Sequence, residues 1–175
     1  ILVAAQNPCP CGYLGDPMHE CRDSTSEILR YQKKISGPML DRIDMHLDIP
    51  AVKVEKLTEQ KVESGPSASE IRKRVQLARD IQTKRFSAKG GSSTGKNAIV
   101  SNSEMNSKLI KKYCELSDDS LEILKMAVNK LNLSARSYNK ILKVSRTIAD
   151  LEGEIKIKPN HIAEALQYRP KTDNI

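Results

Sequence analysis

The chain has 175 residues, of which 38% are hydrophobic and only 3% aromatic, with no Trp. A core of that composition is built from Leu, Ile, Val and Ala, which favours packed helices over an aromatic-rich sandwich or barrel. The net charge of +7 admits polyanionic partners such as nucleic acid or nucleotides, and no apolar run of about 18 residues is present to span a membrane. We therefore expect a soluble, cytoplasmic and mainly helical protein without a membrane partner.

The first predicted element is a buried strand over residues 1–5, where five apolar residues follow one another. Such a strand needs neighbours on both edges, and Ile is not a natural initiator residue, so we expect the chain to be part of a longer protein. Asn7 follows this strand, at a place where an amide can address a ligand at the carboxyl edge of a parallel sheet. An Asn that merely ends the strand is the alternative.

A loop over residues 8–23 follows the strand and contains two close-spaced pairs of metal-ligand residue types. The members of these pairs are Cys9, Cys11, Cys21 and, as the fourth, either Asp23 or His19. In a reducing cytoplasm these spacings favour a structural Zn²⁺ ion over a disulfide. Three unbound loop cysteines are the alternative.

The chain continues with three short predicted elements: a helix over 25–34, a helical turn over 37–42 and a strand over 43–49. Arg42 lies at the junction between the turn and the strand. Taken by themselves, Asp41, Arg42 and Asp44 predict a surface ion-pair cluster. A phosphate group of a neighbouring molecule is the other partner that an arginine at such a junction can reach.

The composition changes after residue 50. Residues 51–67 have the composition of a linker, so we place a domain boundary near residue 60. It separates a first domain over 1–60 from a second over 61–175. The second is predicted to be a small bundle with helices over 67–86, 103–114, 118–131, 134–152 and 159–168, and with a flexible insertion at about 87–97.

The insertion contains the spacing G-x-x-x-x-G-K of a phosphate loop at residues 90–96. Residue 97 is Asn, which lacks the hydroxyl that would bind magnesium, and the preceding segment is a helix end where a phosphate loop has a buried strand. We therefore interpret the segment as a linker. The sequence also contains no Ser-His-Asp, Cys-His or paired-carboxylate arrangement that we can assign to a hydrolase.

Two residues of the predicted bundle lie close to helix ends. Arg136 lies near the start of the helix over 134–152, two residues after Ser134, the predicted N-cap. Taken by itself, its position is typical of a basic residue on a helix surface. Cys114 stands alone at the end of another helix. We expect it to be a buried structural cysteine.

Four segments of the sequence closely resemble, in order, the magnesium-chelatase-related ComM/YifB family of bacterial AAA+ ATPases. They read AAQNPCPCG at 4–12, YQKKISGPMLDRID at 31–44, LSARS at 133–137 and SRTIADL at 145–151. The resemblance covers nearly the whole chain. It implies that the last strands and loop of an α/β AAA+ core precede a helical lid, which is the magnesium-chelatase-type carboxyl-terminal domain.

The resemblance also implies roles for individual residues. Asn7 corresponds to the sensor-1 residue that orients the attacking water, and Arg42 to the arginine finger that reaches a neighbouring subunit's γ-phosphate. Arg136 corresponds to sensor 2 in the lid, and Arg146 is a second candidate for that role. Asp23 stands where the family usually has a fourth loop cysteine.

For the whole protein, the resemblance implies hydrolysis of ATP with Mg²⁺, assembly into a homo-oligomer that we expect to be a hexamer, and DNA branch migration in natural transformation or recombination. The Walker A and Walker B motifs would precede this chain, so the chain alone is not expected to hydrolyse ATP. A second class of function is a basic helical nucleic-acid-binding or adaptor module without an ATP role.

Overall fold

The computed structural model describes residues 1–50, 52, 65–87 and 99–170. The chain divides into two compact units: unit 1 comprises Ile1–Glu63 with Pro170–Ile175, and unit 2 comprises Ser64–Arg169. The described residues form seven α-helices and one short 3₁₀ helix, so the expected mainly helical fold is confirmed. The predicted linker and insertion, including the phosphate-loop spacing at 90–96, lie mostly or entirely outside the described residues.

Unit 1 contains helix α1 (Thr25–Gln32) and helix α2 (Gly37–Leu40). A capping box begins α1: the Ser24 hydroxyl accepts a hydrogen bond from the Glu27 amide, and the Glu27 carboxylate accepts one from the Ser24 amide at 2.8 Å. Pro38 lies in the first turn of α2, where its missing N–H costs no helical hydrogen bond. Both helices are two residues shorter than predicted.

The two predicted strands are not formed in the part of unit 1 that the structure describes. Residues 1–7 and 45–50 have no secondary structure, and side chains of both segments, such as Val3 and Ile49, are largely exposed. A strand is held by hydrogen bonds to a neighbouring strand, and no described segment supplies one. Within residues 1–50, Cys9 alone is buried.

Unit 2 contains five of the seven helices. They are α3 (Ala68–Ser87), α4 (Ser107–Tyr113), α5 (Asp118–Lys130), α6 (Ala135–Leu151) and α7 (Pro159–Gln167), with the 3₁₀ helix Asn102–Glu104 before α4. The single helix predicted over 103–114 is thus divided in two. The side chain of Asn106 accepts a hydrogen bond from the Leu109 amide at 3.1 Å and thereby begins a new helix.

The hydrophobic core of unit 2 is centred on α6, which packs against α3, α4 and α7. Ile141, Leu142 and Ile148 form its buried face, and Leu124 and Ile162 meet them from α5 and α7. Gly153 ends α6, with φ of +74°, a left-handed conformation that suits glycine. No helix among the described residues is long and apolar enough to cross a membrane.

The apolar residues that recur at helical spacing along α3 are only partly buried. Ala78 is buried, but Ile71 and Val75 are 51% and 41% exposed, and Gln82 and Phe86 are buried farther along the helix. The helix therefore packs on α6 through its second half. Apolar spacing identifies the face of a helix, but it does not tell how far along the helix the neighbouring element extends.

Candidate metal and nucleotide sites

The cysteine loop of unit 1 brings together the four residues predicted as metal ligands. The sulfurs of Cys9, Cys11 and Cys21 lie 3.4, 3.5 and 3.7 Å from one another, and a carboxylate oxygen of Asp23 lies 3.8 Å from the Cys21 sulfur. The four ligand atoms all lie within 4.8 Å of one another. We call this set the cysteine cluster.

Local hydrogen bonds place these side chains. The Gly12 amide donates to the Cys9 carbonyl at 3.1 Å, and Gly12 has φ of +85°, so the chain turns over residues 9–12, which contain the first two cysteines. The Asp23 carboxylate accepts a hydrogen bond from the Cys11 amide at 2.9 Å. This bond closes the loop and brings Asp23 to the sulfurs.

The geometry of the cysteine cluster fits a tetrahedral metal ion. Metal–sulfur bonds of about 2.3 Å in a tetrahedral zinc site separate the sulfurs by about 3.8 Å, close to the distances found here. His19, the other candidate for the fourth position, lies outside the cluster: its ring is 3.6 Å from the Asp16 carboxylate and its side chain is largely exposed. The structure therefore places Asp23, and not His19, with the three thiols.

The ionisable groups of the cluster affect one another. Hydrogen bonds from the thiol and amide of Cys11 lower the pKa of the Asp23 carboxyl. The pKa of the Cys21 thiol is raised to about 12, because desolvation and the neighbouring sulfurs outweigh the lowering effect of the Asp23 amide. Neighbouring thiolates repel one another, and a bound cation removes that repulsion.

Asn7 and Arg42 are both exposed residues of unit 1. Asn7 lines a shallow groove with Ala5, Gln6, Tyr31, Lys34 and Ile35. Arg42 follows α2, and its Nη1 donates a hydrogen bond to the Pro38 carbonyl at 2.8 Å. The guanidinium is thereby held against the carbonyl of the first turn of α2.

Arg136 and Arg146 belong to the same helix of unit 2 but lie in opposite environments. Arg136 is exposed in the first turn of α6, just after the Ser134 N-cap, whose hydroxyl accepts from the Ser137 amide at 3.1 Å. Arg146 is only 2% exposed. Its Nε donates to Asp150 at 3.1 Å, and its two Nη atoms donate to the carbonyls of Ile155 and Glu154 at 2.7 and 2.5 Å.

Asp150, the buried partner of Arg146, was not predicted from the sequence. Asp150 also accepts hydrogen bonds from both Nη atoms of Arg85, and from the Asn102 side chain at 2.8 Å. It therefore joins α3, the 3₁₀ helix and α6. The available signal was the spacing of Arg146 and Asp150, four residues apart on the apolar face of a helix. Cys114 is buried as predicted, and burial raises the pKa of its thiol to about 11.

Comparison with known proteins identifies the family. The family model described as magnesium chelatase, subunit ChlI C-terminal, matches residues 65–169, and the model described as magnesium chelatase, subunit ChlI, matches residues 1–57. The two matches correspond to the helical unit and to the segment that carries Asn7, the cysteine cluster and Arg42.

Curated relatives match both regions together. Competence protein ComM of Haemophilus influenzae is 41% identical over 168 residues, which are 96% of this chain and 30% of that protein. YifB of Salmonella typhimurium is 34% identical with the same coverage, and Rv2897c of Mycobacterium tuberculosis is 30% identical over 96% of this chain and 31% of that protein. The chain thus spans less than a third of the length of these relatives, and it belongs to the magnesium-chelatase-related AAA+ family that includes ComM and YifB.

Proposed function

We propose that the chain is the carboxyl-terminal portion of an ATPase that drives DNA branch migration in natural transformation or recombination. Arg42 acts as the finger that one subunit presents to the nucleotide of its neighbour, Asn7 as sensor 1 and Arg136 as sensor 2. The assembly is a homo-oligomer, with a hexamer as the expected form. The observation that carries the proposal is the exposed position of Arg42 at the end of α2, in a chain that belongs to an AAA+ family.

The chemistry of phosphoryl transfer explains why such an arginine matters. Negative charge is spread over the γ-phosphate oxygens in the transition state, and an arginine finger accelerates the reaction by about 10³–10⁵. The hydrogen bond from Arg42 to the Pro38 carbonyl restricts the side chain before the neighbouring phosphate arrives. A restricted donor loses less conformational entropy when it binds.

The environments of the two lid arginines favour Arg136 as sensor 2. Arg136 is exposed at the amino end of α6, where the helix dipole also favours a phosphate. Arg146 is buried and already donates to one carboxylate and two carbonyls. Contact of Arg146 with a nucleotide would break that buried network, so we assign it a structural role.

Nucleotide and Mg²⁺ use is general in this family, and no segment of the 175 residues combines a phosphate-loop pattern with the hydroxyl residue that binds magnesium. The experiment therefore uses the full-length protein. We expect Arg42→Ala to abolish ATP turnover while each subunit still binds nucleotide. The matched control is Arg30→Ala, which removes an exposed arginine of α1 and should leave turnover within about twofold. Normal turnover by Arg42→Ala would overturn the proposal.

A mixing experiment tests whether Arg42 acts in trans. A subunit that has a defective Walker lysine but an intact Arg42 should restore turnover to Arg42→Ala subunits in mixed oligomers. An arginine that acts within its own subunit cannot be rescued in this way. Failure of rescue, with mixed oligomers verified, would contradict the trans assignment.

We also propose that the cysteine cluster binds one structural Zn²⁺ ion. The three sulfur distances and the donor set support this assignment. Elemental analysis of protein purified without added zinc should give about one zinc per chain, and Cys9→Ser or Cys21→Ser should lose it. Cys114→Ala is the control and should keep its zinc. Wild-type protein without zinc would leave a cysteine turn with no metal role.

A second candidate function is a basic nucleic-acid-binding or adaptor module that has no ATP role. The observation in its favour is charge: residues 64–169 contain 20 Lys and Arg against 11 Asp and Glu. The gene sequence upstream distinguishes the two candidates. If it encodes no phosphate loop and no strand that ends in acidic residues, the ATPase proposal fails.

A further inference from the structure

The positive charge of the chain is concentrated in unit 2. Residues 64–169 carry a net charge of +9, whereas residues 1–63, with 8 Lys and Arg against 10 Asp and Glu, carry −2. A polyanion that meets the chain is therefore attracted to unit 2. The exposed lysines of unit 2 indicate where the polyanion makes contact.

Helix α4 carries three lysines on one face. Lys108, Lys111 and Lys112 are spaced i, i+3 and i+4, so they share a face, and all three are exposed. Ile110 is buried on the opposite face, and Leu109, on the flank of the helix, packs against the core of unit 2. We call the three residues the lysine face.

The lysine face is poor in compensating negative charge. Helix α4 contains no Asp or Glu, and it is the one described helix that has basic residues but no acidic ones. Glu104 and Glu115 are the nearest acidic residues along the chain. The Glu104 carboxylate accepts hydrogen bonds from the Ser101 hydroxyl at 2.9 Å and the Val100 amide at 3.3 Å.

Further cations lie beside α4. The Tyr113 hydroxyl donates to the Arg85 carbonyl at 3.2 Å, which places the end of α4 next to the last turn of α3 and its exposed Lys84. On the amino-terminal side, Lys143 of α6 donates to the Ser103 carbonyl at 2.7 Å in an exposed position. Lys84 and Lys143 thus belong to elements that contact α4 or the segment before it.

We propose that the lysine face binds the sugar–phosphate backbone of nucleic acid. Lysine ammonium groups on flexible stems act as point charges, which suits contacts to phosphates that do not read sequence. A membrane surface fits less well, because the apolar residues of α4 are packed in the core and leave no apolar face to insert. The inference rests on the proposed function for the choice of DNA as the polymer, and it adds the place of contact.

The experiment measures binding of a labelled DNA duplex to the 175-residue chain by fluorescence anisotropy between about 50 and 200 mM salt. The test variant is Lys108→Gln/Lys111→Gln/Lys112→Gln. The control variant, Lys125→Gln/Lys130→Gln/Lys156→Gln, removes the same charge from exposed positions on α5 and the loop before α7. Lys108→Arg/Lys111→Arg/Lys112→Arg keeps the charge and should keep the binding.

We expect the test variant to lose about tenfold or more in affinity and to reduce the slope of log K against log salt by about 3, since each lost phosphate contact removes about 0.9. The control variant should lose less than about threefold. Equal losses in the two variants, no loss in the test variant, or no binding by the wild-type chain would overturn the proposal. So would stronger, lysine-face-dependent binding to vesicles of phosphatidylcholine and phosphatidylserine than to DNA.

Failure of this proposal can be distinguished from failure of the proposed ATPase function. DNA binding by the chain needs no ATP, so it can succeed or fail whatever Arg42 does. Conversely, the lysine-face variant of the full-length protein should keep its ATP turnover in the absence of DNA, while Arg42→Ala should keep DNA binding. Loss of DNA-independent turnover in the lysine-face variant would mean that the lysines act on the ATPase site.

Discussion

Arg146 is a permanently charged side chain inside a helical core, and its partners explain how the fold tolerates it. Asp150 lies one helical turn further along α6 and shares its carboxylate among Arg146, Arg85 and Asn102. Burial lowers the pKa of the Arg146 guanidinium, and the charge of Asp150 opposes that effect. The Arg146 side chain also donates to two carbonyls of the loop after α6, so its role is to hold that loop to the helix.

This arrangement predicts different effects for the two arginines of α6. Arg146→Ala should destabilise the chain by about 3–5 kcal/mol, because it removes one partner of a buried ion pair and also the donors of the Glu154 and Ile155 carbonyls. Arg136→Ala removes an exposed side chain and should change the free energy of unfolding by less than about 0.5 kcal/mol. Urea unfolding of the 175-residue chain, followed by helical circular dichroism, measures both.

These two unfolding free energies show which arginine has a structural role, without any nucleotide in the experiment. A small effect of Arg146→Ala would mean that the buried network contributes little and would return Arg146 to candidacy as sensor 2. A large effect of Arg136→Ala would show that its side chain stabilises α6, and loss of ATP turnover in that variant would then carry no information about nucleotide contact.

Single residues could be predicted where a local rule decides them. Gly153 and Cys114 have the backbone and the burial expected from their positions at the ends of helices. The choice between Asp23 and His19 could not be made from spacing, since both lie two residues from Cys21. It depends on the hydrogen bond from the Cys11 amide to Asp23, which is a contact across the loop.

Helix α3 is packed along one half of its length and exposed along the other. Its second half packs on α6 through Ala78, Gln82 and Phe86, while Ile71 and Val75 in its first half remain exposed. Phe86 also meets Tyr113 edge to face, with ring centroids 5.7 Å apart. The packing energy of α3 is therefore concentrated toward its carboxyl end.

Two truncations of α3 test this uneven packing. Phe86→Ala should cost about 3–5 kcal/mol in the free energy of unfolding, because it empties a buried aromatic site. Ile71→Ala should cost less than about 1 kcal/mol, since half of that side chain is already in water. Thermal and urea unfolding of the two variants give the comparison, and similar losses would mean that the first half of α3 is covered in solution.

The helices were predictable because their ends carry explicit signals. Ser24, Ser117 and Ser134 each cap the helix that follows, and the predicted starts of these helices lie within one residue of the observed ones. The break before α4 was missed because Asn106 follows apolar spacing that continues across it. The two strand predictions were wrong for a different reason. A run or an alternation of apolar residues specifies a strand only when a neighbouring strand is present to pair with it.

The two units differ in the interactions that stabilise them. Unit 2 has a continuous apolar core and a buried ion network, whereas within residues 1–50 the single buried side chain belongs to the cysteine cluster. The resemblance to a family could be read from four segments of sequence. The depth of each arginine, and therefore its availability to a ligand, depends on packing between helices distant in sequence and had to come from the structure.

Unit 2 should also lose stability in acid, and the responsible carboxylates can be named. Hydrogen bonds from the Ser67 hydroxyl and amide lower the pKa of Glu70 below its ordinary value of 4.5, and the Lys158 ammonium lowers the pKa of Glu154. A carboxyl whose pKa is lower in the folded chain contributes stability above its unfolded pKa and loses it as the pH falls. The melting temperature should therefore be nearly constant from neutral pH to about 5 and decline below about 4.5.

The double variant Glu70→Gln/Glu154→Gln separates this linkage from general acid denaturation. Glutamine keeps the shape of the side chain but cannot ionise, so the decline in melting temperature below pH 4.5 should be shallower than in the wild type. Glu115→Gln/Glu122→Gln removes two exposed carboxylates and serves as the control, with the wild-type slope expected. Since both linked carboxylates are exposed to salt screening, added salt should weaken the contribution of the Glu154–Lys158 pair. Identical pH profiles for the two double variants would mean that these hydrogen bonds do not distinguish the folded chain from the unfolded one.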